Sequence, residues 1–162
     1  MTSEPSVTDR PAQDYVAIKR TVTMSSIADI ADRFPDVFAF LAERGVAPAG
    51  APFLKYNVID MEGELEIEAG VPVRMPVGGS GEIFPAVLPA GRYLTVTHVG
   101  HPDGLLDVTG NFLGWAHERD LEFDHHDSPS GDVWHCRLEI YHSNPAEVAI
   151  DKWETELAFL LR

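Results

Sequence analysis

The chain is poor in cysteine, in positive charge and in long apolar runs, and each shortage excludes a class of protein. Cys136 is the one cysteine among 162 residues, which excludes an internal disulfide and a cysteine-based zinc site. Only 12 lysines and arginines oppose 26 aspartates and glutamates, and the net charge of −14 repels phosphate backbones. No apolar run approaches the roughly 20 residues of a membrane span, and the polar start lacks the features of a secretory signal. We therefore expect a cytoplasmic protein that binds neither nucleic acid directly nor membranes.

Residues 1–14 are polar and aperiodic and predict a flexible tail, so that the folded part is the single domain 15–162. Alternation of apolar and polar residues predicts strands, and apolar spacings of three and four predict helices. The predicted strands cover 15–24, 53–59, 64–71, 92–99, 133–141 and 153–161, the predicted helices cover 25–45 and 101–119, a linker covers 75–90 and a loop covers 124–132. Pro35 predicts a break in the first helical region, and Gly45 predicts its end.

One predicted strand carries a row of glutamates. Glu64, Glu66 and Glu68 alternate with the apolar Leu65 and Ile67, which is the pattern of a half-buried strand. We expect the glutamates to lie on a solvated edge of the sheet, where their charge discourages association with other sheets.

The order strand–helix–strand–strand occurs twice, which indicates an internal duplication. Residues 15–18 resemble 93–96, residues 37–44 resemble 112–119, and residues 54–56 resemble 139–141. The domain is therefore divided into module one (15–74), a linker (75–90) and module two (91–162). Two copies of a small module usually pack about a pseudo-two-fold axis, and the groove on that axis is a natural ligand site.

The two modules differ at two equivalent positions in ways that suit a ligand site. Module one has Leu54 where module two has Glu139, and Phe40 where module two has Trp115. A carboxylate and an indole would give an otherwise symmetric groove a charge and a flat apolar face. Divergence without functional consequence is the alternative, and the strand pattern alone is equally consistent with a solvated Glu139.

Motifs for metal, cofactor or nucleophilic chemistry are weak in this sequence. His125, His126 and Asp127 form the densest cluster of metal-ligating types, but adjacent histidines on an extended chain point apart. The glycine-rich stretch 78–81 lacks the Gly-Lys-Ser/Thr of a phosphate loop, and no Gly-x-Ser-x-Gly occurs. Cys136 lies on the apolar face of its predicted strand, which predicts an inert thiol. We expect no metal and no cofactor.

Several segments carry a family resemblance in their order and spacing. They are YVAIKR (15–20), LAERGVAPAGAPF (41–53), EAGVPV (68–73), LPAGRY (88–93), EIY followed by NP (139–145) and WETEL (153–157). In these segments the chain resembles the GyrI-like small-molecule-binding domain, which is also the effector-binding domain of AraC-type and MerR-type regulators. The resemblance covers nearly everything after residue 14.

The resemblance implies an α+β fold of two β-α-β-β modules side by side, with an antiparallel sheet, helices packed on it and a central ligand groove. It implies a multidrug-type binding protein that captures bulky lipophilic, often cationic aromatic compounds for sequestration or sensing. Glu139, in the Glu-x-Tyr position, would meet the positive charge. The aromatic residues implied beside it are Trp115 and Tyr141, with Phe40, Tyr56 and Phe53 added from the repeat.

Two alternatives to capture stay open. Some GyrI-like proteins are hydrolases of strained-ring cytotoxic natural products, and in such an enzyme Glu139 would act as general acid or base. No second groove acid is evident, which favours binding. The other alternative is an acidic protein that docks on a macromolecule, and a protein partner or a homodimer stays open. Because the tail is too short for a helix-turn-helix, we expect no fused DNA-binding segment.

Overall fold

The alternating segments form one large sheet with helices packed on one face in the computed structural model, which describes residues 2–162. The strands are β1 (Ser6–Arg10), β2 (Gln13–Val22), β3 (Phe53–Ile59), β4 (Leu65–Pro72), β5 (Phe84–Leu88), β6 (Gly91–Val99), β7 (His125–Ser128), β8 (Gly131–Trp134), β9 (Arg137–Tyr141) and β10 (Glu154–Leu160). The α-helices are α1 (Ala28–Ala31), α2 (Phe34–Glu43) and α3 (Leu105–Glu118), and short 3₁₀ turns span Pro102–Gly104 and Ile150–Lys152. Of the helices within 2–162, none combines the length and apolar character that a membrane crossing requires.

Pro35 and Gly45 shape the first helical region. Pro35 lies in the first turn of α2, where its missing N–H leaves no hydrogen bond broken, and α1 ends before it. Gly45 follows α2 with a φ of 66°, a left-handed conformation that glycine adopts without strain. The region therefore forms two helices and ends where the sequence predicts.

The strand order reveals the duplication. The strands run β1-β6-β10-β9-β3-β4-β2-β5, and the hairpin of β7 and β8 is attached to β3. Every strand pair formed within residues 2–162 is antiparallel. Inside the edge strands β1 and β5, the order passes through β6, β10 and β9 of module two and, from the other side, through the equivalent β2, β4 and β3 of module one, so that β9 and β3 meet in the middle.

The pairing register makes the equivalence explicit. The matching ladders are Ile18–Ala69–Leu54 in module one and Val96–Leu157–Glu139 in module two. Leu54 and Glu139 then pair directly with each other where the modules join. The α+β class, the tandem modules and their pseudo-two-fold relation are confirmed, and Glu139 lies at the centre of the sheet.

The two faces of the sheet bury separate apolar clusters. The helices cover one face, whose core includes Val37 and Leu41 of α2 and Phe112 of α3. Among residues 2–162 no helix covers the other face, yet Tyr15 and Phe53 are buried there. The sheet curls into a half-barrel, so this second face closes over its own side chains.

Three segments that we expected to be irregular contain strands. The expected flexible tail is wrong, because β1 pairs with β6 along its whole length. The expected linker contains β5, which pairs with β2, and the expected loop 124–132 contains β7 and the start of β8. The expected strand 133–141 is divided between β8 and β9. These short peripheral strands show little apolar alternation because they bury few side chains.

The glutamate row is not a solvated edge. β4 is an inner strand between β2 and β3, and Glu68 is only 6% exposed. The Tyr15 hydroxyl donates a hydrogen bond to Glu68 Oε1 at 2.6 Å, and the Asn57 amide donates one to Oε2 at 2.7 Å. Lys55 Nζ lies 3.7 Å from Oε2. Side chains of neighbouring strands replace water around the Glu68 side chain. The alternation of residues along a single strand does not reveal such partners.

Candidate functional site

A cavity of about 280 Å³ lies on the helix-covered face of the sheet, where the two modules join. Residues from β3, β4, β9 and β10 line it, namely Tyr56, Ile59, Leu65, Arg137, Glu139 and Phe159. The helical side contributes Ile27, Pro102, Leu105 and Thr109, and Met24, Met61 and Leu106 are the exposed apolar side chains among the lining residues. Because the lining is mostly apolar with few polar groups, the groove suits a flat lipophilic molecule.

Glu139 is the acidic residue of this groove. The strand β9 directs its half-buried side chain to the helix-covered face, and the Tyr141 hydroxyl donates a hydrogen bond to Oε1 at 2.5 Å. The Tyr56 hydroxyl approaches the same oxygen at 3.5 Å. No donor within residues 2–162 bonds to Oε2, and no fully buried side-chain oxygen there lacks a partner, so Oε2 opens onto the groove.

The environment makes the Glu139 carboxyl easier to protonate than a free one. Burial raises its pKa, and the hydrogen bond from Tyr141, the charge of Arg137 and the hydrogen bond from Tyr56 oppose the rise. Burial and the nearby Glu139 carboxylate raise the pKa of Tyr141 well above its ordinary value, so its hydroxyl stays a donor. A positive charge brought to Oε2 would favour the ionised carboxylate.

Arg137 lies two residues before Glu139 on the same face of β9. Its guanidinium packs over the rings of Trp134 and Phe159, at 4.6 Å from each ring centroid, and 5.9 Å from that of Tyr56. Burial lowers the pKa of Arg137, although Tyr56, Glu139 and Asp132 act in the opposite direction. The groove therefore holds one acid and one base.

Three of the six predicted site residues come together, and three lie elsewhere. Glu139, Tyr141 and Tyr56 form one hydrogen-bonded group. Phe53, next to Leu54, points to the opposite face and packs edge-on against Tyr15, with ring centroids 5.3 Å apart. Its prediction as a groove residue is wrong, because consecutive side chains of a strand alternate between faces.

Phe40 and Trp115 are also corrected. Phe40 is buried in the helix-side core, with the Arg44 guanidinium over its ring at 3.9 Å. Trp115 is ten residues, or about 15 Å along α3, from Leu105, and it lines a separate cavity of about 200 Å³. The Arg119 guanidinium covers its ring at 3.9 Å. Phe40 and Trp115 occupy equivalent positions of the repeat, but neither residue lines the groove.

The sequence interpretation missed several residues that line the groove. Arg137 shares the strand face of Glu139, so strand parity alone could have indicated it. Strand parity on β10, which pairs with β9, could likewise have indicated that Phe159 lines the groove. Met24 and Met61 lie outside the regular elements, and nothing in their local sequence indicated the groove.

The other chemical candidates stay apart from the groove. His125 stacks on Trp134 with ring centroids 4.4 Å apart, and its Nδ1 lies 2.7 Å from an Asp132 oxygen. Three metal-ligating side chains do not converge anywhere in the described part of the chain. Cys136 is buried, and burial raises the pKa of its thiol, which disfavours the reactive thiolate.

The chain matches one family model and folds like several solved structures. The model of the GyrI-like small molecule binding domain matches residues 3–162. The C-terminal domain of EcmrR has 17% sequence identity and a TM-score of 0.77, over 98% of this chain and 97% of that domain. In a cryo-EM structure of an EcmrR–DNA complex, the same similarity covers 57% of the longer EcmrR chain.

Two further structures share the fold. SAV2435, solved bound to tetraphenylphosphonium, has 14% identity and a TM-score of 0.60, over 99% of this chain and 94% of that chain. A hydrolase from Listeria innocua has 11% identity and a TM-score of 0.64, over 98% of this chain and 92% of that chain. At these identities the similarity establishes the fold alone. None of the curated proteins compared matches the chain significantly.

Proposed function

The chain belongs to the GyrI-like small molecule binding domain family, and from that premise we propose that its groove captures flat, lipophilic cations. The observation that carries the proposal is the half-buried Glu139 carboxylate, whose Oε2 opens onto an otherwise apolar cavity. Apolar walls would supply affinity without strict shape requirements, and the carboxylate would select positive charge. The fold neighbour SAV2435 was solved with tetraphenylphosphonium, which is a bulky, lipophilic aromatic cation.

The size of the electrostatic contribution supports a preference for cations. A carboxylate about 5 Å from a delocalised positive charge contributes up to about 3 kcal/mol at an effective dielectric constant of about 20. That exceeds the 0.2–1 kcal/mol of a typical exposed ion pair, because the groove excludes part of the screening water. Tyr141 and Tyr56 hold the carboxylate in place through Oε1 while Oε2 stays accessible.

The mouth of the groove supports a broad ligand range. Met24 is 40% exposed and Met61 is 56% exposed, and both line the cavity. Methionine side chains are flexible and polarizable, so they adapt to rings of different outline. Such a groove would serve sequestration of toxic aromatic compounds, or their sensing together with a protein partner or a second copy of the chain.

A hydrolase is the second candidate. The fold neighbour from Listeria innocua is a hydrolase, and a protonated Glu139 beside Tyr141 would be suited to general acid catalysis. Glu139 is the one acid among the residues that line the cavity, which leaves no second carboxylate to activate water. Mass spectrometry after prolonged incubation should recover the bound compound intact, and turnover would favour the hydrolase.

The pH dependence of binding tests the role of Glu139. Because burial raises the pKa of this carboxyl, protonation of Glu139 begins at a higher pH than protonation of a free glutamate. A cation binds the ionised form, so cation affinity should be full above that pKa and should fall as the pH drops through it. For a cationic styrylpyridinium dye we expect an affinity more than about twofold weaker at pH 4.5 than at pH 8, measured by fluorescence, since an unshifted carboxyl would already be half protonated near pH 4.5.

The controls separate this effect from acid unfolding. A neutral stilbene of similar outline should show the same affinity at both pH values, provided that circular dichroism reports a folded protein. The Glu139→Gln variant should bind the cationic dye without pH dependence. An equal pH dependence in wild type and Glu139→Gln would contradict the assignment.

A further inference from the structure

Arg137 separates the groove from a second cavity. The residue lines the groove and also a cavity of about 500 Å³ that Trp134 and Asp132 line as well. The guanidinium packs over the rings of Trp134 and Phe159, and its central carbon lies 4.6 Å from each ring centroid. Ring contacts of this kind do not engage the N–H donors at the edge of the guanidinium.

These donors have no partner among the residues that the structure describes. Within residues 2–162 the guanidinium of Arg137 makes no hydrogen bond and no ion pair, in contrast to Arg10, Arg20 and Arg33. No fully buried side-chain nitrogen in the same residues lacks a partner, so the unpartnered N–H groups open onto a cavity. A half-buried guanidinium without an acceptor in the chain leaves its accessible N–H groups to water or to an anionic group of a ligand.

The neighbouring acids are engaged elsewhere. Asp132 has His125 Nδ1 at 2.7 Å from one oxygen, and it accepts a hydrogen bond from Trp134 Nε1 at 2.9 Å on the other. Glu139 accepts its hydrogen bonds from tyrosine hydroxyls and forms no ion pair with Arg137. The groove therefore presents a carboxylate and a guanidinium that are not paired with each other.

We propose that the ligands of the groove are amphoteric aromatic compounds, whose cationic part lies beside Glu139 and whose carboxylate or sulfonate binds Arg137. The proposal rests on the proposed function of the groove and adds the second charge of its ligand. Residues two apart on a strand are separated by about 7 Å, which a short spacer between the two ligand charges can span. A guanidinium binds a carboxylate or sulfonate through paired N–H donors.

A matched pair of dyes tests the proposal. One is a dimethylaminostyryl N-methylpyridinium cation, and the other is its N-sulfopropyl counterpart, which differs by carrying a sulfonate and is zwitterionic. In Arg137→Gln the affinity for the zwitterion should fall about tenfold, because a charge-assisted hydrogen bond is lost. The affinity for the plain cation should stay the same or rise. Equal changes for both dyes would overturn the proposal.

Two variants control for structural damage. Arg137→Lys keeps the charge but not the paired donors and should retain part of the preference for the zwitterion, whereas a loss caused by misfolding would appear in both Arg137 variants. Arg119→Gln removes an exposed guanidinium at Trp115, outside the groove, and should change neither affinity. Melting temperatures measured for all variants identify any variant that fails to fold. If Arg137→Gln does not fold, Arg137→Lys tests the proposal in its place. Loss of the preference for the zwitterion in folded Arg137→Lys overturns the proposal.

A second pair of probes distinguishes failure of this proposal from failure of the proposed function. Anilinonaphthalene sulfonate and its unsulfonated parent, phenylnaphthylamine, differ by one anionic group and carry no cation. In Glu139→Gln the sulfonate should bind more tightly than the parent, and adding Arg137→Gln should remove that advantage. Persistence of the advantage in the double variant would overturn the role of Arg137, whatever the cation dyes show.

Discussion

Replacing Glu139 by glutamine should weaken binding of a cationic styrylpyridinium dye by roughly tenfold to a hundredfold at pH 8. The substitution keeps the size of the side chain and its ability to accept from Tyr141, and it removes the charge that faces the groove. Because the apolar walls are unchanged, a neutral stilbene of the same outline should bind with nearly unchanged affinity. Fluorescence titration of both probes measures the difference.

A matched substitution shows whether overall charge could cause the same result. Glu147 lies exposed between β9 and β10, away from the groove, and Glu147→Gln changes the net charge by the same amount. This variant should bind both probes like the wild type, because Glu147 does not line the groove and exposed surface charges are screened by salt. An equal loss of both probes in Glu139→Gln would contradict the charge preference.

The second large effect is steric. Thr109 lies on α3 and lines the groove, so Thr109→Trp should fill much of the cavity of about 280 Å³. We expect at least a tenfold loss of affinity for cationic and neutral probes alike, since the space that both occupy is removed. Calorimetric or fluorescence titration of both probes checks this outcome.

Two controls locate the effect in the groove. Gly114 is exposed on the same helix, with no heavy atom within 4 Å of an added Cβ, so Gly114→Trp should leave both affinities unchanged. Trp115→Ala should also leave them unchanged, because this ring lies in a different cavity. Retained binding in folded Thr109→Trp, or a large loss in Trp115→Ala, would place the ligand elsewhere.

The overall architecture could be predicted because the duplication is visible in the order of the elements along the sequence. The repeated order of elements predicts two modules, and the ladders through Leu54 and Glu139 reproduce that equivalence in three dimensions. Strand parity placed Glu139 and Tyr141 on one face, and the structure shows them hydrogen-bonded on that face. Local pattern and family resemblance therefore pointed to the same strand.

The errors arose where position depends on partners that are distant in sequence. β1 is polar and mostly exposed, and it is a strand because β6 offers an unpaired edge some 80 residues away. Glu68 is buried because Tyr15 and Asn57 come from neighbouring strands to bond with it. Trp115 fits the repeat and still misses the groove, because equivalence in a repeat does not fix distance from its axis.

The unpaired state of Arg137 also depends on long-range packing. Its strand position was readable from the sequence, but its contact with Phe159 depends on the register between β9 and β10. Likewise, the engagement of Asp132 by His125 depends on the hairpin of β7 and β8, in a segment that the sequence pattern indicated as a loop.

The ionisation of Glu139 in the presence and absence of a bound cation tests the central claim most directly. A pH titration of ¹³C-labelled glutamate carboxyl signals, with the Glu139 signal assigned by its loss in Glu139→Gln, would report this group alone. The account predicts that a saturating cationic styrylpyridinium dye lowers the pKa of Glu139, which burial raises in the free protein, and that the neutral stilbene does not. An identical titration of Glu139 with and without the bound cation would contradict it.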